Sequence, residues 1–478
     1  MNRMNVLLIT VDDMNYNSMG CMGCEVSDIT PNIDRLAAEG MLCENSYVAV
    51  GVCQPSRSVL LTGRYPHKNG ARGFEEIDYC VETLTERLRD YGYYNGIIGK
   101  VDHLQPREKF AWDFVVKTLN PEENWGRDPE KMYEHTRDFL REARGQGKPF
   151  FLMANSHDPH RPFAGSVFET PSYLSKSGKN VDFDPSMEQG EYYRGKYVKS
   201  SRYYEPEEVD VPGFLPDLED VHTEIADYYS SVHRGDEAVG QILCALEDEG
   251  FRDDTLVMFL SDNGAALPFA KTNCYVNSTK SPFIFRLPGQ IPAGSRTGAL
   301  ISSIDYTPTV LDYLGINPIE GADGTSLRGI LSGGLQHQYD TIYTMFYKTA
   351  RNAVTGRERH FPMRCVQGTE YSYIYNAWPG NGEPFLNEST AGLTFNAMKA
   401  AGETDEEIHK RVEFFLYRTP EEFYDIKHDP DCLHNLIDRK EYQALIESYR
   451  KKLYGYMMES QDGLVSVFQE KVLRKYDR

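Results

Sequence analysis

The 478 residues carry a formal net charge of -21, and no basic stripe offers the phosphate neutralisation that a nucleic-acid partner requires. Nine cysteines, an odd number scattered through a long chain, do not read as a disulfide framework and point to a reducing compartment. The length calls for more than one domain, and no apolar run approaches the length of a membrane-spanning helix.

In chain order, the run VLLITV ends at Asp12-Asp13 and reads as a strand buried on both faces, as in a mainly parallel sheet. Cys21 and Cys24 form a lone C-x-x-C, which without a second pair at zinc spacing reads as a coincidental loop pair. Thr30-Pro31 opens a helix over NIDRLAAEG, and Gly40 closes it. The stretch CQPSRSVLLTGR, residues 53–64, predicts a short helix: Pro55 suits the first turn, Val59, Leu60 and Leu61 supply an apolar face, and Gly63 ends it. Cys53 is then expected just before the helix N-terminus, where unpaired N–H groups and the helix dipole favour an anion beside Cys53 and Arg57.

Further along, GIIG runs into Lys100 and FFLMA into Asn155-Ser156-His157-Asp158, again as buried strands with polar ends. The segment from about Pro162 to Pro216 is rich in Tyr, Ser, Pro and charge and is expected to form long surface excursions. A long helix is expected from about Thr223 to Glu249, with Ile225, Tyr229, Val232, Val239, Ile242, Leu243 and Leu246 on its apolar stripe. TLVMFLS then runs into Asp262-Asn263-Gly264. Beyond about Gly356, RCVQ, YSYIYNAW and EEFYDIK read as antiparallel strands, followed by helical patterns at 403–416 and 440–459. The expected fold is α/β: a large, mixed, mainly parallel sheet sandwiched by helices over residues 1–355, and a smaller α+β domain on an antiparallel sheet over 356–478.

In open parallel sheets ligands bind beyond the carboxyl ends of the strands, and all four polar clusters fall at such ends. Asp12-Asp13 and Asp262-Asn263 each read alone as a turn or a cap; sharing strand ends, they read as a metal site whose oxygen donors favour calcium or magnesium over zinc. Arg57, Lys100, His103, His157 and Lys271 are candidates to clamp the oxygens of a tetrahedral anion and to protonate a leaving group, which describes phosphoryl or sulfuryl transfer. A thiolate is a poor partner for a hard cation, so Cys53 makes better chemical sense if it does not act as a cysteine.

Cys53-x-Pro55-Ser56-Arg57, followed by Leu61-Thr62-Gly63-Arg64, resembles the signature of the formylglycine-dependent sulfatases of the alkaline phosphatase superfamily. The resemblance implies that a separate maturing enzyme reads the motif on the unfolded chain and oxidises Cys53 to an aldehyde, formylglycine (3-oxoalanine). One hydroxyl of the hydrated aldehyde would attack sulfur, and the other would lose its proton so that the hemiacetal collapses and expels sulfate. Asp12, Asp13, Asp262 and Asn263 match the family's calcium ligands, with modified Cys53 completing the shell; magnesium accepts the same donors. Arg57 and Lys100 match the residues that hold the aldehyde hydrate and sulfate, His103 the one that assists hemiacetal collapse, and His157 and Lys271 the leaving-group side. Asp305 to Thr309, Phe423 to Asp425 and His428 to Pro430 also resemble sulfatase landmarks.

Within the family, His157-Asp-Pro-His-Arg161, Lys271-Thr-Asn-Cys-Tyr275 and Pro362-Met-Arg364 with Val366-Gln367 resemble the heparan N-sulfatases, or sulfamidases, which implies a terminal N-sulfoglucosamine of heparan or heparin as substrate. The family pattern is Lys-x-His, whereas His103 stands three residues after Lys100, so Asp102 or a bulge must be accommodated. Lys271 stands where those enzymes carry arginine, which keeps the charge and loses bidentate geometry. His360 and Arg364, near the expected domain junction, are candidates to line a sugar pocket.

The rival readings are an O-sulfatase, for example on 6-O-sulfated glucosamine, a related phosphonate or phosphate ester hydrolase, and a non-catalytic sulfoglycan-binding protein. Expected partners are a sulfated saccharide and the maturing enzyme, with no nucleic acid and no membrane; a homodimer is compatible with the sequence. No secretory signal is evident, so the expected location is cytoplasmic, or periplasmic or secreted if a leader precedes Met1.

Overall fold

A computed structural model describes residues 4–166, 168–169, 198–349, 359–380 and 382–474. Among the described residues, ten strands belong to the N-terminal part: β1 (Asn5–Val11), β2 (Met41–Cys43), β3 (Ser46–Tyr47), β4 (Tyr94–Ile98), β5 (Phe114–Val116), β6 (Phe150–Asn155), β7 (Thr255–Ser261), β8 (Phe283–Arg286), β9 (Ser295–Thr297) and β10 (Ile301–Ser302). Eight of them form one sheet in the order β5-β4-β6-β1-β7-β8-β2-β9, with β3 and β10 pairing separately. The sheet is mixed and mainly parallel; β8 alone runs against its neighbours β7 and β2.

The central strands β1, β6 and β7 are buried along their whole length, as continuous apolar runs require. Alternation along β1 divides the core into two layers. Leu7, Ile9 and Val11 pack with Ile225 and Val232 of the 30-residue helix Glu219–Asp248. Val6 and Leu8 face the other side, in the layer that holds Leu60, Leu61 and Val310.

The long helix starts at Glu219, ahead of the expected Thr223, because Glu219, Asp220 and Val221 continue its helical pattern. Helix α1 (Pro31–Glu39) lies where Thr30-Pro31 placed it, but the Thr30 side chain makes no cap. Asp236 of the long helix does that work, accepting from Ile33 N at 2.7 Å and Asn32 N at 3.1 Å.

The C-terminal part is built on a four-stranded antiparallel sheet, β11 (Ile342–Lys348), β12 (His360–Gln367), β13 (Tyr371–Asn376) and β14 (Glu421–Asp425), in that order. Its first strand comes from residues 342–348, ahead of the expected boundary at 356, and Met345 N of that strand donates to Ala49 O at 2.8 Å. The helical pattern expected at 403–416 is the second of a pair, Leu393–Ala401 and Glu406–Tyr417.

Most of the expected surface excursion at 162–216 lies outside the described residues, and its described flanks are not superficial. Phe163, Tyr204, Val209, Phe214 and Leu215 are buried in the core layer of the long helix, because extended Pro- and Tyr-rich chain presents rings that pack well on a helix face. Among the described residues no helix is long and apolar enough to cross a membrane.

Candidate active site

Strands β4, β6, β1 and β7 are adjacent and run the same way, with Ile98 opposite Ala154, Thr10 opposite Asn155 and Val11 opposite Ser261. Lys100, Asn155 to His157, Asp12-Asp13 and Asp262-Asn263 therefore emerge in one row along the carboxyl edge of the sheet. Local backbone turns them inward. Asp13 and Lys100 are left-handed at φ 69° and 54°, and Gly99 before Lys100 at φ 71°. A Cβ at Gly99 would lie 2.6 Å from the Asn155 carbonyl oxygen, so this turn accepts no side chain.

Helix α2 (Cys53–Thr62) closes the site from above, with Gly63 ending it in a left-handed turn. Val52 keeps extended backbone, so Cys53 is the first helical residue and not the residue before it. Arg57, one turn further, is fully buried. Its Nη1 donates to Thr10 Oγ1 at 2.7 Å and Asn155 Oδ1 at 2.6 Å, and its Nη2 lies 2.7 Å from Asp262 Oδ2 and 3.4 Å from Asp12 Oδ1. One guanidinium thus lashes α2 to β1, β6 and β7.

Asp12, Asp13 and Asp262 each bring an oxygen within 4.8 Å of the others, all fully buried. Burial, then the neighbouring Asp12, drives the Asp262 carboxyl well above the usual carboxylate range. Asp13 is also raised, chiefly by burial and against Lys271. Burial works the same way on Asp12, yet Lys100, His160, His157 and Arg57 together hold it well below that range. Asn263 Nδ2 donates to Asp13 Oδ1 at 2.7 Å, which leaves its Oδ1 buried without a donor. Buried oxygens from three carboxylates and an unmatched amide oxygen fit a hard divalent cation such as calcium or magnesium.

Around the acids stand the cations. Lys100 pairs with Asp12 Oδ2, and Lys271 Nζ lies 2.8 Å from both Asp13 oxygens. His157 Nδ1 is 3.4 Å from Asp12 Oδ2 and stacks on His160 with ring centroids 4.8 Å apart. Burial pushes the Cys53 thiol up to about 12, with Lys271 and Lys100 opposing and Asp12 and Asp262 adding to it, so it stays protonated near neutral pH and is a weak nucleophile as it stands.

The extra residue between Lys100 and His103 is taken up by a 3₁₀ turn over Val101–His103. Asp102 is thrown outward to pair with Lys117 at 2.7 Å, while His103 turns back toward Lys100, Arg57 and Asp12. Burial and the two cations keep its imidazole neutral, well below the usual histidine range.

Residues 4–316 match the sulfatase family model, and residues 265–376 match the model described as N-sulphoglucosamine sulphohydrolase, C-terminal. The chain belongs to the sulfatase family. Human N-sulphoglucosamine sulphohydrolase is 30% identical over 480 residues, covering 96% of this chain and 91% of that protein. The N-acetylglucosamine-6-O-sulfatase of Bacteroides thetaiotaomicron is 25% identical over 78% of this chain and 79% of its own length. Among solved structures, one in complex with its substrate D-glucosamine-2-N,6-O-disulfate superposes with a TM-score of 0.68 at 20% identity, over 97% of this chain and 99% of the other. The phosphonate monoester hydrolase of Agrobacterium radiobacter shares the fold at a TM-score of 0.65 and 19% identity, covering 96% of each chain. The protein is accordingly a sulfatase-family hydrolase.

In this sulfatase's site the residues at the end of β6 make contacts that no local sequence signal specifies. Asn155, the last residue of β6, accepts from both Arg57 and Thr10 Oγ1. His160 donates from Nδ1 to Arg161 O at 2.7 Å and points Nε2 at Asp13, 3.8 Å away. Asp158, between the two histidines, is locked by Arg127 and Arg234, all fully buried, so the turn that carries His157 and His160 is held by an internal ion network. Glu388, far along the chain, reaches Lys271.

Of the two candidate sugar-pocket residues, Arg364 does not line a pocket. Its guanidinium is buried and donates to Asp462 at 2.5 and 3.0 Å, with Tyr347 stacked 4.2 Å away, because a buried arginine must find a carboxylate. His360 is exposed and sits opposite Lys348, whose ammonium pairs with Glu75; the Glu75 carbonyl accepts from Gln54, the neighbour of Cys53. His360 therefore lies at the outer rim.

Proposed function

We propose that the chain hydrolyses the sulfate group of a sulfated sugar, namely the N-sulfate of a terminal N-sulfoglucosamine in heparan or heparin degradation. The observation that carries the reaction class is the row of strand ends: Arg57, Lys100 and Lys271 surround Cys53 beside three carboxylates that share one small volume. The N-sulfate reading draws support from the C-terminal match and from the human relative.

In this reading Asp12, Asp13, Asp262 and Asn263 hold calcium, or magnesium, and residue 53 is the formylglycine made by a maturing enzyme. The cation supplies Lewis acidity at the sulfate oxygens, and formylglycine supplies the nucleophilic hydroxyl. Arg57 and Lys100 hold positive charge against the sulfate; both are pinned by Asp12, so neither reorganises when the anion arrives. Lys271 keeps its proton, since Asp13 and Glu388 more than offset the effect of burial, and so acts as a fixed charge on the leaving-group side. His103, held neutral, is available as a proton acceptor, and His157 stands beside Asp12 facing the same space.

The test is free sulfate released from N-sulfoglucosamine and from glucosamine 6-sulfate, and free phosphate released from glucosamine 6-phosphate, at equal concentration, from protein produced with a maturing enzyme and with Cys53→Ala as control. Release from the N-sulfated sugar alone is expected. Release only from the 6-sulfate overturns the substrate in favour of an O-sulfatase, phosphate release a sulfate-specific site, and turnover by the Cys53→Ala protein the mechanism.

A further inference from the structure

The site holds a fourth carboxylate, outside the group of Asp12, Asp13 and Asp262. Glu388 lies on the short turn Glu388–Ala391, and its Oε1 is 2.5 Å from Lys271 Nζ while Oε2 is 3.9 Å from His160 Nε2. Asp12, Asp13 and Asp262 are fully buried, whereas 22% of the Glu388 side chain faces solvent, so it stands at the mouth of the site. Its backbone is anchored. Asn387 Nδ2 donates to Thr272 Oγ1 at 2.5 Å, and Leu393 N and Thr394 N both donate to Glu224 at 3.0 Å, itself held by Arg161 at 2.6 Å. Burial works against ionisation of Glu388, yet Lys271 and His160 hold its carboxyl below the usual glutamate range.

A negative charge here is a cost to a site that must attract a sulfate anion. Nor does Lys271 need it for placement, because both Asp13 oxygens already hold that ammonium at 2.8 Å. The chemistry of the leaving group accounts for it. Hydrolysis of a sulfamate breaks the S–N bond, joins the water oxygen to sulfur and leaves both water protons on nitrogen: R–NH–SO₃⁻ + H₂O gives R–NH₃⁺ + SO₄²⁻. Hydrolysis of a sulfate ester gives a neutral alcohol: R–O–SO₃⁻ + H₂O gives R–OH + SO₄²⁻ + H⁺. Only the first creates a cation on the leaving group, and only then does a carboxylate on the leaving-group side gain an interaction as the reaction proceeds.

We infer that Glu388 forms an ammonium subsite, a specificity-determining carboxylate that receives the nitrogen of the amino sugar as it becomes charged and turns this sulfatase site toward N-sulfates. The inference rests on the N-sulfate reading above, and it is tested by binding, apart from turnover. Calorimetry on calcium-loaded Cys53→Ala protein measures the affinities for glucosamine, for glucose and for inorganic sulfate, each with and without Glu388→Gln. Glucosamine is expected to bind more tightly than glucose, and Glu388→Gln to weaken glucosamine by about tenfold while leaving glucose unchanged and sulfate unchanged or tighter. Glu388→Asp, which keeps the charge, is expected to recover part of the loss.

Equal affinity for glucosamine and glucose in the Cys53→Ala protein overturns the subsite. So does a Glu388→Gln change that weakens glucosamine and sulfate alike, since Glu388 would then only hold Lys271. If instead the unmutated enzyme releases no sulfate from N-sulfoglucosamine while the glucosamine preference stands, the N-sulfate reading fails and takes with it the role of Glu388 in choosing N-sulfates, leaving only its binding of an amine.

Discussion

At the carboxyl edge of the parallel sheet, Asp12, Asp13, Asp262, Arg57 and Lys100 are all buried, and each is fixed by partners on neighbouring strands. At the rim, Glu388, Lys348 and His360 come from the C-terminal part, on a short turn and the ends of two antiparallel strands; Glu388 is partly exposed and His360 exposed. The edge is stiff because adjacent parallel strands must keep register, so groups at their ends stay within ångströms of one another. The rim is assembled by docking, through contacts such as Met345 on Ala49 and Asn387 on Thr272. A family can therefore keep one chemistry at the edge and change its substrate at the rim.

The largest expected effect tests the edge. Removing divalent cations with a chelator is expected to cut sulfate release by about a thousandfold and to lower the thermal midpoint, because three buried carboxylates within 4.8 Å then lack their common partner. Calcium added back should restore both. Full turnover after exhaustive chelation would show that this edge works without a cation and would remove its main difference from the rim.

A smaller effect tests the joint between the regions. Tyr339, just ahead of β11, donates to Asp305 Oδ1 at 2.7 Å, and burial pushes the Asp305 carboxyl up to about 6 from 3.8. The native state keeps this proton over a range where the unfolded chain has lost it. This group's contribution to stability is therefore greatest below about pH 4, falls as pH rises to about 6 and is flat above, by about 1–3 kcal/mol in all. Asp305→Asn should remove that slope from denaturant unfolding measured across the range; an unchanged slope would place its origin elsewhere.

The smallest effect tests the rim. Lys348→Ala, which frees Glu75 beside Gln54, is expected to raise KM about threefold to tenfold with kcat nearly unchanged. A fall in kcat as deep as that from chelation would mean that the rim takes part in the chemistry and that the two regions are one.

Much of the edge was legible because its signals are local. VLLITV before Asp12-Asp13 and TLVMFLS before Asp262-Asn263 announce a buried strand and a polar end within a dozen residues. The motif around Cys53 likewise lies within one short helix. The strand Ile342–Lys348 was not anticipated, since its burial alternates only in part and no turn signal marks its start. Arg364 is a pocket candidate in the sequence because it stands near the expected domain junction, and only the fold supplies the Asp462 that it pairs with.

The sequence by itself determined the fold class, the strand-end clusters and the residue types at the site, because hydrophobic runs and short motifs act over a few residues. Only the tertiary structure decided which clusters become neighbours, that Asn155 meets Arg57 and His160 meets Asp13, and that Glu388 meets Lys271 across more than a hundred residues of chain. Strand order and the docking of the C-terminal sheet set those meetings, and both depend on how separate apolar faces find one another in the folded core, which no local stretch encodes.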